Sequence, residues 1–403
     1  MFKIFSKNEK SFLLHQVLTS IPFAVVGTFI TFYLWDQTKS LQLVANYHFF
    51  RGVGILGGAF LSSYFISKFT PNIVRAGGIT LYAFVALLIV LLGASTANYT
   101  LLIGILVGLS VGIRVVPYRV MFATVNKPES RQNFLNLSGT FGSVFTIFLP
   151  LAAAFFVGDK GEYGNLFVFI FITLLVSVIP LLFMKLPKSE SKRLKLKEAF
   201  VQIIKDSDLK RLLVTRFLDG IKFGVKASLW SIIVLSVVGG LENWGIFNTV
   251  FAVLSTIISY TIGKKVKFSN SGFLIIFMSS LLMVAGLIFA ANLDLISYIL
   301  YSFIAGFADT LYSRSYASIR YKVMDRNVDE VDTLDEIDSI SEIPVFLGRS
   351  IPLLIIMFTA VSFESDLVLR ILIIVVSTIP LFVSTIFVGM NIMERSKDPF
   401  VAS

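Results

Sequence analysis

Eight cations and three carboxylates sit in stretches of this chain that are otherwise apolar. The cations are Arg51, Arg114, Arg119, Arg216, Lys222, Lys226, Arg314 and Arg349, and the acids are Asp219, Asp309 and Glu342. A charge in a hydrocarbon layer costs about 2.5–3.5 kcal/mol on insertion scales, so it turns toward a cavity or a partner. Asp219, Lys222 and Lys226 are spaced i, i+3, i+7 and share one helix face. Asp219 can neutralise Lys222, whereas Lys226 has no partner on its own helix. Arg51 shares a face with Gly54 and Gly58, a close-packing surface rather than a lipid-facing one. The surplus of cations predicts an interior of positive potential, suited to a solute with a carboxylate or phosphate. Arg51, Arg114, Lys222, Lys226 and Arg349 are its candidate contacts. The competing reading is snorkelling or fixed ion pairs, which suits Arg119, Arg216 and Arg314 best. Asp219, Asp309 and Glu342 are candidates for proton coupling, since a carboxyl group in a partly dry cavity can load and release a proton near neutral pH.

These residues need a scaffold that holds them within a membrane. The chain has 403 residues, 56% of them hydrophobic and only 15% charged, and its mean hydropathy is +0.83. A soluble chain of this length carries roughly a quarter charged residues. There is no cysteine and only two histidines, His15 and His48, which excludes disulfides and thiolate chemistry. No metal site and no cofactor are expected. A span needs about 20 apolar residues. On that rule spans are expected at 11–35, 41–66, 72–94, 99–124, 132–157, 164–186, 211–238, 243–263, 271–291, 294–322, 334–361 and 365–391. Between the sixth and seventh lies a basic amphipathic stretch, KLPKSESKRLKLKEAFVQIIKDSDLK. The expected organisation is a six-helix bundle over 1–187, a basic cytoplasmic linker over 188–210 and a second six-helix bundle over 211–403.

Lys and Arg concentrate on one side of these spans, among them Lys3, Lys7, Lys10, Lys68, Arg75, Lys192, Arg193, Lys264, Lys265 and Arg395. That side is expected to be cytoplasmic, with both termini on it. The net charge of +10 therefore reflects orientation, not nucleic-acid binding. The halves also repeat weakly. SYFISKFTPNIVR (Ser63–Arg75) matches SYTIGKKVKFSN (Ser259–Asn270), and Pro150 in the fifth span matches Pro352 in the eleventh. Internal duplication is a mark of transporter folds.

On these features the chain resembles the major facilitator superfamily. In that family's signature between helices two and three, Gly-x-x-x-Asp-Arg-x-Gly-Arg-Arg, Ser63 stands for the first Gly, Ser67 for the Asp, Lys68 for the Arg, Thr70 for the second Gly and Pro71 for the following Arg. LKEAFVQIIKDSDLKRLLVTRFL looks like the approach to the seventh helix in many members. The resemblance implies an all-α membrane protein of 12 transmembrane helices, in two six-helix bundles that rock about a central cavity. It also implies a secondary active carrier of a small-molecule solute, in contact with lipid and coupled to a proton or another ion. A monomer in a bacterial plasma membrane is expected. Lys68 and Lys264 on the two repeated loops are expected to gate, and Pro344 and Pro352 to bend helix eleven. A multidrug or lipid exporter and a membrane-embedded transferase remain as alternatives; the latter would rest on the acidic run Asp329, Glu330, Asp332. Gly52, Gly54 and Gly57 spell Gly-x-Gly-x-x-Gly inside an apolar helix, where small-residue packing explains them better than a nucleotide.

Overall fold

The computed structural model describes residues 5–125, 147–157 apart from 150, 162–186, 196–263 apart from 229, 271–327, 334–358 and 366–390, with isolated positions between 134 and 145. Regular structure among the described residues is helical throughout. The chain divides into two compact units, Met1–Leu194 and Lys195–Ser403.

The first unit contains α1 (Lys7–Thr38), α2 (Leu41–Ile66), α3 (Pro71–Leu92), a 3-10 turn (Gly93–Tyr99), α4 (Thr100–Val125), a short apolar α5 (Ile147–Val157) and α6 (Tyr163–Leu182). Local chemistry sets the ends. Ser6 and Glu9 form a capping box, each side chain accepting the other's backbone N–H at 3.2 and 2.7 Å, which satisfies donors the first turn leaves open. Pro71 opens α3, where its missing N–H is not needed. The helical run Pro71–Phe122 is 52 residues long and largely apolar. As one helix it would be about 78 Å long, far beyond a hydrocarbon core of about 30 Å. Gly93, at φ 50°, breaks it into two crossings.

Within this unit α2 and α4 meet through glycine. A Cβ on Gly108 would lie 2.8 Å from Gly54 Cα, and one on Gly112 would lie 2.7 Å from the Gly58 carbonyl carbon. Backbones this close leave dispersion and weak polar contacts to hold helices that gain no hydrophobic energy from leaving lipid. Pro117 in α4 cannot donate to the Ile113 carbonyl; Ser62 of α2 does so instead, Oγ to O at 3.1 Å.

The second unit contains α7 (Leu196–Lys205), α8 (Ser207–Ser228), α9 (Trp230–Val238), α10 (Leu241–Gly263), α11 (Ser271–Asn292), α12 (Leu295–Asn327), α13 (Leu334–Phe358) and α14 (Asp366–Val388). The span expected at 211–238 is thus described as α8 and α9. Its core includes Leu212, Met278, Leu311, Tyr312 and Phe387. Gly220 and Gly224 of α8 and Gly348 of α13 sit against the opposite backbone. In the connection before α12, Asp294 Oδ1 accepts the Ser297 N–H at 2.7 Å, and this bond holds its carboxyl below the usual carboxylate range.

Nine stretches of the described residues are long and apolar enough to cross a membrane. Outward side chains agree with that: Ile296 is 79% and Phe358 82% exposed, a surface that requires lipid instead of water. The polar α8 is not among the nine, because Arg216, Asp219, Lys222 and Lys226 fall on it.

Candidate functional site

In the first unit the polar interior is built around arginine. Arg75 is 3% exposed. Its Nε donates to His15 Nε2 at 2.7 Å, Nη1 to the Arg114 carbonyl at 2.8 Å and Nη2 to Gln16 Oε1 at 3.1 Å. An arginine Nε can only donate, so His15 Nε2 accepts and Nδ1 carries the proton, directed at the Ser177 carbonyl at 2.7 Å. Arg75 also lies over the Tyr118 ring at 4.9 Å. This one guanidinium ties α1, α3 and α4 together, and His15 adds α6.

Arg51 and Arg114 are held differently. The Arg114 guanidinium sits 3.7 Å from the centre of the Phe23 ring, and its buried Nε has no hydrogen-bond partner among the described residues. The buried Nε of Arg51 and the hydroxyl of Tyr47 likewise have none. Arg51, Arg114, Tyr47 and Tyr82 are electrostatic neighbours. None of the three arginines makes a salt bridge among the described residues. Burying a guanidinium without an anion is costly; Arg75 is buried and Arg51 and Arg114 are half-buried, with no carboxylate paired to them among the described residues.

In the second unit Arg216, Lys222 and Lys226 of α8 each have a carboxylate. Arg216 Nη2 meets Glu342 Oε1 of α13 at 2.6 Å. Lys226 Nζ meets Asp309 Oδ2 of α12 at 2.6 Å. Lys222 lies 3.6 Å from Asp219 Oδ1 and 5.1 Å from the Tyr312 ring centre. Side-chain exposures of 8% and 18% for Arg216 and Glu342, against 37% and 32% for Lys226 and Asp309, make the second pair the more accessible. Arg349 is half-buried on α13, its backbone against Gly224 of α8.

Of the other candidates, Lys68 is exposed and bonded to the Tyr64 hydroxyl, its ammonium 4.4 Å from that ring's centre. Pro344 and Pro352 lie inside α13, and Pro352 packs against Gly224. Lys264, Pro150, Asp329, Glu330 and Asp332 lie outside the described residues, as do the side chains of Arg119 and Arg314. Sequence reasoning missed Arg75, assigned to a cytoplasmic end, and with it His15 and Gln16. The signal was present: a helix opened by Pro71 puts Arg75 in its second turn, inside the span. Phe23, Tyr47 and Tyr82 carried no such signal, because a lone aromatic in an apolar helix looks like packing.

The crystal structure of a mutant of nucleoside transporter NupG has a TM-score of 0.71 at 10% identity, covering 95% of this chain and 100% of that one. The D-xylose–proton symporter gives 0.66 at 13% identity, covering 95% and 97%. Similarity of this kind is one of fold. The uncharacterized protein YqgE of Bacillus subtilis (strain 168) is 24% identical over 257 residues, 62% of this chain and 59% of its own length; the match thus spans less than two thirds of that relative. The Major Facilitator Superfamily model matches residues 12–327. With its helical architecture and that match, the chain belongs to the Major Facilitator Superfamily.

Proposed function

We propose that the protein is a proton-coupled secondary carrier, working by alternating access on a small solute that bears a carboxylate or phosphate. The observation that carries this reading is the contrast between the two units. Among the described residues, three arginines in the first have no carboxylate, while three cations in the second each have one. A solute anion on Arg51 and Arg114 supplies the missing charge, and one charge-assisted hydrogen bond there contributes about 1.5–3 kcal/mol. Phe23, half-buried and stacked on the Arg114 guanidinium, supports an apolar portion in the solute, which suits an amphiphile as well.

Lys226 and Asp309 form the coupling pair in this reading. A proton on Asp309 cancels its attraction for Lys226 and lets α8 and α12 shift; its loss restores the pair. One structural neighbour is a D-xylose–proton symporter, which supports a proton as the coupling ion. The charge bias of the loops supports cytoplasmic termini, and the Bacillus relative supports a bacterial plasma membrane. The test is a melting screen of the purified protein against carboxylates, phosphates and their uncharged analogues at several pH values. The hits are then followed by uptake into proteoliposomes under a pH gradient. Stabilisation by anions, lost in Arg114→Ala, supports the reading. Stabilisation by uncharged solutes that survives Arg114→Ala refutes it.

A further inference from the structure

The basic segment between the two bundles contains a helix whose outer face transport does not explain. In α7, Ala199 and Ile203 are buried against the core of the second unit, with Leu209 and Leu212. Phe200 and Ile204 are 54% and 53% exposed, and Val201 is 40% exposed. At 100° per residue these three occupy a flank beside the buried stripe, with Lys197 among them, while Lys205, Glu198 and Gln202 form the polar flank beyond. So α7 has two apolar surfaces, and its own bundle covers one.

Its charge indicates the occupant of the other. Between Lys185 and Arg211 the sequence has nine basic and four acidic residues, and Lys197, Lys205, Lys210 and Arg211 are exposed. The helix ends one residue before α8, at the end of the bundle where that helix begins. Aromatic and aliphatic side chains with one lysine at their edge (Lys205) and one among them (Lys197), whose long stem lets its ammonium snorkel back to the phosphates, suit a helix lying in the headgroup layer with its apolar flank down.

We propose that α7 is an interfacial anchor for anionic lipid: Phe200, Val201 and Ile204 enter the acyl boundary, and Lys197 and Lys205 bind lipid phosphates. It couples lipid composition to α8, the helix that bears Arg216, Asp219, Lys222 and Lys226, through the single residue between them.

Because the chain has no cysteine, Phe200→Cys and Glu198→Cys each place one nitroxide label on the full-length protein. Two residues apart on a helix, the labels point about 200° from each other. They are read in nanodiscs of phosphatidylcholine, with and without phosphatidylglycerol, by collision with oxygen and with a water-soluble nickel chelate. The expected result is a label at 200 that collides with oxygen and is shielded from nickel, more so with phosphatidylglycerol, and a label at 198 that stays open to nickel. Lys197→Gln and Lys205→Gln, in the Phe200→Cys background, should each reduce the docked-to-free ratio by about fivefold. Equal nickel access at both positions overturns the proposal. Shielding at 200 that does not change when phosphatidylglycerol is omitted also overturns it, because docking would then owe nothing to anionic lipid. Elution of both labelled proteins as a single symmetric species establishes that they are folded.

Discussion

The two kinds of intramembrane arginine should respond differently to removal. Arg216→Met strands Glu342, which lies 2.6 Å away with a side chain 18% exposed. Removing one partner of a buried pair costs about 3–5 kcal/mol, and the partial exposure of Glu342 sets the expectation at about 3 kcal/mol. Arg114→Met loses a stacking contact with Phe23 at 3.7 Å, worth about 0.5–2 kcal/mol. It also removes a guanidinium that has no ion pair among the described residues to offset its desolvation, a penalty of several kcal/mol when burial is complete. Because Arg114 is half-buried, these terms nearly cancel, and the expected change lies within about 1 kcal/mol of zero. For units of about 200 residues, 1 kcal/mol shifts melting by about 2–4 °C. Arg216→Met should therefore melt about 6–12 °C below the parent, and Arg114→Met within about 4 °C of it. The assay is intrinsic fluorescence of the purified, solute-free proteins, heated side by side in one detergent. If Arg114→Met falls as far as Arg216→Met, Arg114 is a structural residue and the positive site is misassigned.

Other perturbations test the surroundings of the site. Gly108→Leu would drive a side chain into the Gly54 Cα and Ile55 N, each 2.8 Å from its Cβ; backbone atoms cannot rotate away, so a loss of about 3 kcal/mol should appear as poor expression and aggregated elution. Ser62→Ala leaves the Ile113 carbonyl without its donor and should cost about 1 kcal/mol, seen as a melting shift of a few degrees with solute binding intact. Asp309→Asn should abolish accumulation driven by a pH gradient while solute exchange without a gradient continues; full gradient-driven accumulation would remove Asp309 from coupling.

Much of the scaffold is legible in the sequence, because a hydrocarbon layer imposes one pattern on every span. The expected 41–66 and the observed Leu41–Ile66 agree because Ser40 and the end of the apolar run mark both ends. Glycine at i+3 and i+7 from Arg51 pointed to close packing, and α4 provides it with Gly108 and Gly112. Pairings were out of reach. Lys226 and Asp309 are 83 residues apart in sequence, and Arg216 and Glu342 are 126 apart; nothing local distinguishes a cation with such a partner from one without. That is why Lys226 and Arg114 looked alike in sequence and differ in the structure. Arg75 was hidden by its position, since a cation near a span's end satisfies the orientation rule whether it points out or in. The helix α7 was visible as an amphipathic pattern, but which of its apolar residues dock on the bundle depends on α8 and α13.

The most direct test of the positive site is the melting shift produced by an anionic solute and its uncharged isostere, measured on the parent, Arg51→Gln, Arg114→Gln and the double variant. The account predicts that the anion alone raises the parent's melting temperature, that each single variant weakens its apparent affinity by about tenfold or more, and that the double variant shows no shift. An uncharged isostere that stabilises the parent equally well, or a double variant that still responds to the anion, contradicts it.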